Sequence, residues 1–213
     1  MLAAETLADP VLLALSWQPP GGRTALAALF KLDSRLAQLV AQSREPMLGQ
    51  IRLAWWREQI DGTAAPAAGD PTLDLLREVW GKGMAGLAPL VEGWEELLGD
   101  TSLGASKIDR FASGRGSSIA AFAAHIGMSS EPAFVAGKRW ALADFAARTS
   151  RPGERRDALA LGRDLPMPFR MPKALRGISV LDTLAFRGIE RAEPMLATRS
   201  DALAAWRVGT IGW

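Results

Sequence analysis

No stretch of this chain alternates apolar and polar residues as a half-buried β-strand does, and β-branched runs are absent. Leucine and alanine recur instead at the three- and four-residue spacings that line up on one side of a helix. That periodicity, cut into segments by Pro and Gly, restricts the chain to an all-α fold. Asp9 to Trp17 is a short apolar segment ended by Pro19-Pro20-Gly21-Gly22. From Arg23 to Gln42, Leu26, Leu29, Phe30, Leu36 and Leu39 keep helical spacing. Ser43 to Pro46 is a break and a restart, because proline in the first turn of a helix has no intrahelical N–H bond to lose. The helix that follows ends at Gly62. Asp70 is placed to cap, and Pro71 to open, a helix through Trp80. Further helices are predicted over 89–98, 106–126, 131–148, 179–191 and 201–208, with a short one to Leu161 after the Pro152-Gly153 separator and with Gly114-Arg115-Gly116 kinking the 106–126 segment. Leu165 to Pro172 must be extended, since Pro166, Pro168 and Pro172 keep their predecessors out of the α region. Without a repeat or a low-complexity tail, residues 1–213 are expected to form a single helical bundle.

The residue types that are missing exclude much chemistry. The 213 residues contain no Cys, no Tyr, no Asn and one His. That rules out thiolate nucleophiles, disulfides, Fe–S clusters and multi-histidine metal sites. A net charge of +2 does not point to nucleic acid. No apolar run approaches the roughly 18 residues of a transmembrane helix, and Met1 to Glu5 does not start a basic-then-apolar leader. A cytoplasmic protein is expected, with peripheral contact at an inner membrane as an extension of that expectation.

Charge is distributed unevenly. Residues 70–109 carry a net −5 and residues 138–191 a net +6. Either the two regions attract each other within the bundle, which is the expectation, or the basic region faces phosphate, acidic lipid or a partner. Arg52, Trp55, Trp56 and Arg57 form the sharpest local cluster. Both indoles are expected in the core and both arginines in intramolecular ion pairs, Arg57 with Asp61 for example. The alternative is a partner-binding face, since Trp and Arg dominate interface hot spots. His125, near a helix end, reads as structural. The i, i+4 pairs Asp70/Asp74, Glu92/Glu96 and Glu5/Asp9 read as a cap and solvated faces rather than cation sites. Ser117 and Ser118 make no nucleophile elbow, and Gly81-Lys82-Gly83 lacks the rest of a phosphate-binding loop.

Two segments carry a family resemblance. Glu45-Pro46-Met47-Leu48-Gly49-Gln50-Ile51-Arg52-Leu53-Ala54-Trp55-Trp56-Arg57, following a core helix, resembles the squalene/phytoene synthase family. Leu165 to Leu181, with its Pro-Phe-Arg-Met-Pro core, is similar to the C-terminal part of the same members. The resemblance implies an isoprenoid-synthase type of all-α fold, shortened here, whose active members join two prenyl diphosphates with Mg²⁺ held by acidic motifs on facing helices. This chain departs from that pattern at the chemistry. With Phe30 and Leu32 at the aromatic positions of the first motif, Ala37, Gln38 and Ala41 occupy the acidic ones. With Leu142 and Asp144 starting the second, Ala147, Arg148 and Pro152 replace its Arg and its two Asp. Phe111 and Arg115-Gly116-Ser117 replace a Tyr and an apolar turn, which brings a charge where none is expected.

The expectation is therefore a protein with no catalytic residues and no metal ligands, whose vestigial pocket would include Phe30, Gln38, Phe111 and Asp144. It would serve as a non-catalytic binding or assembly factor, similar to the branch of the family implied to assist respiratory complex assembly, or pair with another synthase-like subunit. The first alternative is a prenyltransferase with a divergent site, for which Mg²⁺ would be expected. The second is a peripheral lipid-binding protein using the basic region 138–191.

Overall fold

The computed structural model describes residues 7–43, 45–99 and 102–212. Among them every regular element is helical. The elements are α1 (Asp9–Trp17), α2 (Pro20–Gln42), α3 (Pro46–Asp61), α4 (Pro71–Trp80), α5 (Ala88–Glu95), α6 (Ala105–His125), α7 (Ser130–Arg148), α8 (Pro152–Arg163), α9 (Arg176–Arg191) and α10 (Arg199–Ile211). Short 3-10 segments span Gly81–Leu87 and Lys173–Leu175.

The punctuation acts as its chemistry dictates. Asp70 Oδ1 accepts from the backbone N–H of Thr72 at 2.9 Å and of Leu73 at 3.1 Å, satisfying two donors at the start of α4. Gly62 closes α3 in the left-handed region, at φ 72°. Thr198 and Asp201 form a reciprocal capping box at the start of α10. Two expectations need correction. Helix α2 begins at Pro20, not at Arg23, because Pro20 serves as its first helical residue instead of ending the preceding loop. Helix α6 runs unbroken from Ala105 to His125, so Gly114-Arg115-Gly116 does not divide the segment.

Those two glycines act on packing. A Cβ on Gly114 would collide with the Pro89 carbonyl oxygen and lie 2.8 Å from the Gly93 Cα, so glycine lets α5 approach α6 closely. On another side, a Cβ on Gly116 would lie 2.9 Å from the Phe134 carbonyl oxygen, and Gly137 meets Gly116 across the same seam. Helices α6 and α7 thus form a tight central pair. Helix α5 packs on α6, α8 and α9 pack on α7, and α1 and α10 pack on α9. Helix α2 contacts α4 and α5 and meets α7 through Phe30 and Trp140, whose rings sit edge to face at 5.2 Å. One core cluster extends from Val11 to Ile189, with a smaller one beneath α10. No helix among the described residues is long and apolar enough to cross a membrane.

The charge asymmetry resolves mostly at short range. Lys138 reaches Asp109 at 2.8 Å across the divide between the acidic and basic regions. Within the basic region, Arg139 pairs with Asp182, Arg148 with Asp144 and Arg151 with Glu154.

Candidate functional site

The flanking glycines hold Arg115 between α5 and α7, so its side chain has to leave α6 toward α2. It is almost fully buried there, where a lone cation would be prohibitively costly. Two acids from different helices answer it. Asp33, on the otherwise apolar face of α2, accepts from Arg115 Nε at 2.8 Å and, through its second oxygen, from Arg115 Nη2. Asp144, on α7, accepts from Arg115 Nη1 at 3.0 Å. Trp94 Nε1 donates at 2.9 Å to the Asp33 oxygen that accepts from Arg115 Nε, and Arg148 Nε donates to the other oxygen of Asp144 at 2.8 Å. Aromatic rings close over the guanidinium, whose carbon lies 3.8 Å from the Trp140 centroid and 5.4 Å from those of Trp94 and Phe111. Burial works against the charge, but Asp33 and Asp144 outweigh it and raise the Arg115 pKa above its ordinary value.

This cluster forms the floor of a cavity of about 720 Å³ between α2 and α7, a volume typical of small-molecule sites. Phe30, Ser34, Ala37, Gln38 and Ala41 form one wall, spaced so that they share a stripe of α2. Trp140, Asp144, Ala147 and Arg148 form the facing wall on α7, and Met195 and the start of α1 complete the rim. Small side chains leave the space open. Alanine at positions 37, 41 and 147 cannot reach across it, and no large side chain among the described residues fills it.

Three of the four pocket candidates, Phe30, Gln38 and Asp144, line the cavity. Phe111 lies behind it, packed against Trp94 at 4.9 Å and Phe145 at 5.8 Å. The sequence reading missed Asp33, Trp94 and Trp140. A signal existed for Asp33: an acid set among Leu29, Phe30, Leu32 and Leu36 has to be buried with a counter-charge, and Arg115 is an equally misplaced base.

The second cluster divides. Trp56 is core, at 3% exposure, whereas Trp55 lies at the surface beside the exposed Met47, Leu48 and Ile51. The two indoles meet edge to face at 5.4 Å. Arg52 is exposed. Arg57 pairs with Glu95 of α5 at 3.2 Å and not with Asp61, because α3 packs against α5 and brings that carboxylate to it. Burial raises the Glu95 carboxyl above its usual range in spite of Arg57. His125 stacks on Trp80 at 4.8 Å, Glu96 receives a double hydrogen bond from Arg110, and Glu5 lies outside the described residues.

Comparison with known proteins adds no identity. No family model, no curated protein and no solved structure matches this chain.

Proposed function

We propose that this protein is a squalene/phytoene synthase-like binding or assembly factor that has lost the Mg²⁺–diphosphate machinery. The observation that carries the reading is the state of the acids at the α2–α7 cavity. The α2 stripe facing it bears Ala37, Gln38 and Ala41, and the two carboxylates at its floor, Asp33 and Asp144, are held by Arg115. A Mg²⁺ ion needs carboxylate oxygens at near-octahedral geometry, with further positions for water and phosphate. Both Asp33 oxygens already accept from a buried guanidinium, so these residues do not fit such an ion. Arg115 links two helices through their acids using one fixed positive charge, a structural tie and not an exchangeable one. On this reading the working surface is the outer face of α3, where Met47, Leu48, Ile51 and Trp55 are exposed beside Arg52. A protein partner would cover it.

One observation favours the prenyltransferase alternative: the cavity is open and large enough for a ligand. A single assay separates the two. Purified protein is incubated with farnesyl or geranylgeranyl diphosphate and Mg²⁺, and pyrophosphate is measured. No release above the protein-free control is expected; Mg²⁺-dependent release overturns the proposal. For the partner, Ile51→Ser together with Trp55→Ser is expected to abolish co-purification of a bound protein. An unchanged yield removes α3 as the surface.

A further inference from the structure

The outer face of α10 carries three of the large apolar side chains that are exposed among the described residues. Leu203, Trp206 and Ile211 are 65%, 58% and 62% exposed. They share one side of the helix with Arg199 and Arg207, because these positions recur three and four residues apart. The inner side is what anchors the helix. Ala205 and Val208 pack on Val180 and Leu184 of α9, and Gly209 sits against Trp17, where a Cβ would collide with the indole. The acid of this helix, Asp201, is also turned inward and 4% exposed, accepting from Arg187 at 2.7 Å and Arg191 at 2.9 Å. Thr210 Oγ1 donates back to the Trp206 carbonyl oxygen at 2.9 Å. The outward face of α10 is therefore apolar and basic, without an acid. Among the described residues, neither the Arg199 nor the Arg207 guanidinium has a hydrogen-bond or ion-pair partner.

We propose that α10 docks this protein on an anionic bilayer surface. The helix is held rigidly by its inner face, so its outer side chains can enter a surface without unfolding anything. Trp206 is the residue type that settles at the boundary between headgroups and acyl chains. Leu203 and Ile211 supply apolar area on either side of it, and the arginine stems can lie along that area while their heads meet lipid phosphates. Charge separates this face from the exposed apolar face of α3. On α3, Arg52 is offset by the exposed Glu45 and Glu58, so an anionic surface gains nothing there. On α10 both charged groups facing outward are positive. The contact is peripheral, since no described helix is long and apolar enough to span. It also lies outside residues 138–191, the region to which the lipid-binding alternative was assigned from the sequence.

The test is vesicle flotation with the full chain, using phosphatidylcholine alone and phosphatidylcholine with phosphatidylglycerol. Binding is expected only to the anionic vesicles at low salt, and to fall at high salt as screening shortens the reach of the charges. Arg199→Gln with Arg207→Gln should weaken it roughly tenfold to thirtyfold, the scale set by two surface arginines. Leu203→Ser with Trp206→Ser should abolish it, with helical circular dichroism and Tm unchanged because both side chains are exposed. Met167→Ser with Phe169→Ser, at the exposed loop of the basic region, should leave it intact. The proposal is overturned if the protein ignores anionic vesicles at low salt, or if the loop variant loses binding while the α10 variants keep it. Sedimentation showing a dimer that Trp206→Ser dissolves also overturns it, since a second copy would then cover this face.

Discussion

Two buried arginines in this molecule have opposite surroundings. Arg139 on α7 and Asp182 on α9 form an ion pair that is 1% and 2% exposed. It is sealed by the Pro166 carbonyl oxygen, to which Arg139 also donates, and by Phe186, 5.9 Å away. Arg139 Nε has no acceptor. Arg115 is as deeply placed but answers two acids, is roofed by three aromatic rings and borders a cavity. The sealed pair bears the full cost of desolvation, and its acid registers it: burial, against the pull of Arg139, moves the Asp182 carboxyl from its ordinary 3.8 up to about 6. The pair ties the extended Leu165–Pro172 segment to α7 and α9. The Arg115 cluster ties α2 to α7 at one point and leaves open the space beyond it. Burying a charge is a structural device in the first case and shapes a site in the second.

The largest expected effect lies in the sealed pair. Asp182→Ala leaves Arg139 buried without a carboxylate and should cost about 3–5 kcal/mol in urea denaturation. A cost under about 1 kcal/mol would mean that water reaches Arg139 and that the contrast between the two clusters is false.

The next effect is a pH dependence. A raised carboxyl pKa means that the folded chain binds a proton between pH 3.8 and about 6 that the unfolded chain has released. The associated stability, about 3 kcal/mol, is fully present below the unfolded pKa and lost as pH rises through the folded one. The lowered carboxyls of Asp201 and Glu154 act with the opposite sign, adding stability that disappears on acidification. Asp182→Asn should flatten the fall in that window. The difference between wild-type and variant unfolding free energies across it is the readout, and parallel curves would refute the assignment.

Gly114→Ala comes third. The added methyl meets the α5 backbone, which cannot rotate away, so overpacking of about 1–3 kcal/mol is expected. A thermal melt measures it, and a stabilised variant would show that the seam placing Arg115 is looser than described.

The smallest effect tests the open cluster. Asp144 is partly accessible and Arg115 keeps Asp33, so Asp144→Asn should cost only about 1–2 kcal/mol. A loss as large as that for Asp182→Ala would make the Arg115 cluster as sealed as its counterpart.

Much of the helical skeleton was legible because its signals are local. Pro46, Gly62, Asp70 and Pro71 act on their own backbones, and the limits of α3 and the start of α4 follow from them. The stripe of Phe30, Gln38 and their neighbours could be placed on one face by spacing alone. The unbroken α6 could not be foreseen, because glycine in a helix reads as weakness until a second backbone is seen pressed against it. The Arg57–Glu95 pair was hidden for a similar reason. Asp61 is near in sequence, but α5 supplies the acid, and nothing local announces that α3 and α5 pack together.

By itself, the sequence determined that this chain is helical, where most helices begin and end, and that Ala37, Gln38 and Ala41 of α2 carry no acid. Those properties depend on hydrogen bonds and side chains within a few residues of one another. Only the tertiary structure decided that Asp33, Arg115 and Asp144 meet, that a cavity remains beside them, and that Trp56 is inside while Trp55 and Trp206 are outside. Each of these depends on the angle and distance between helices. That geometry is set by how whole faces pack, as at Gly114 and Gly116, and no single segment encodes it.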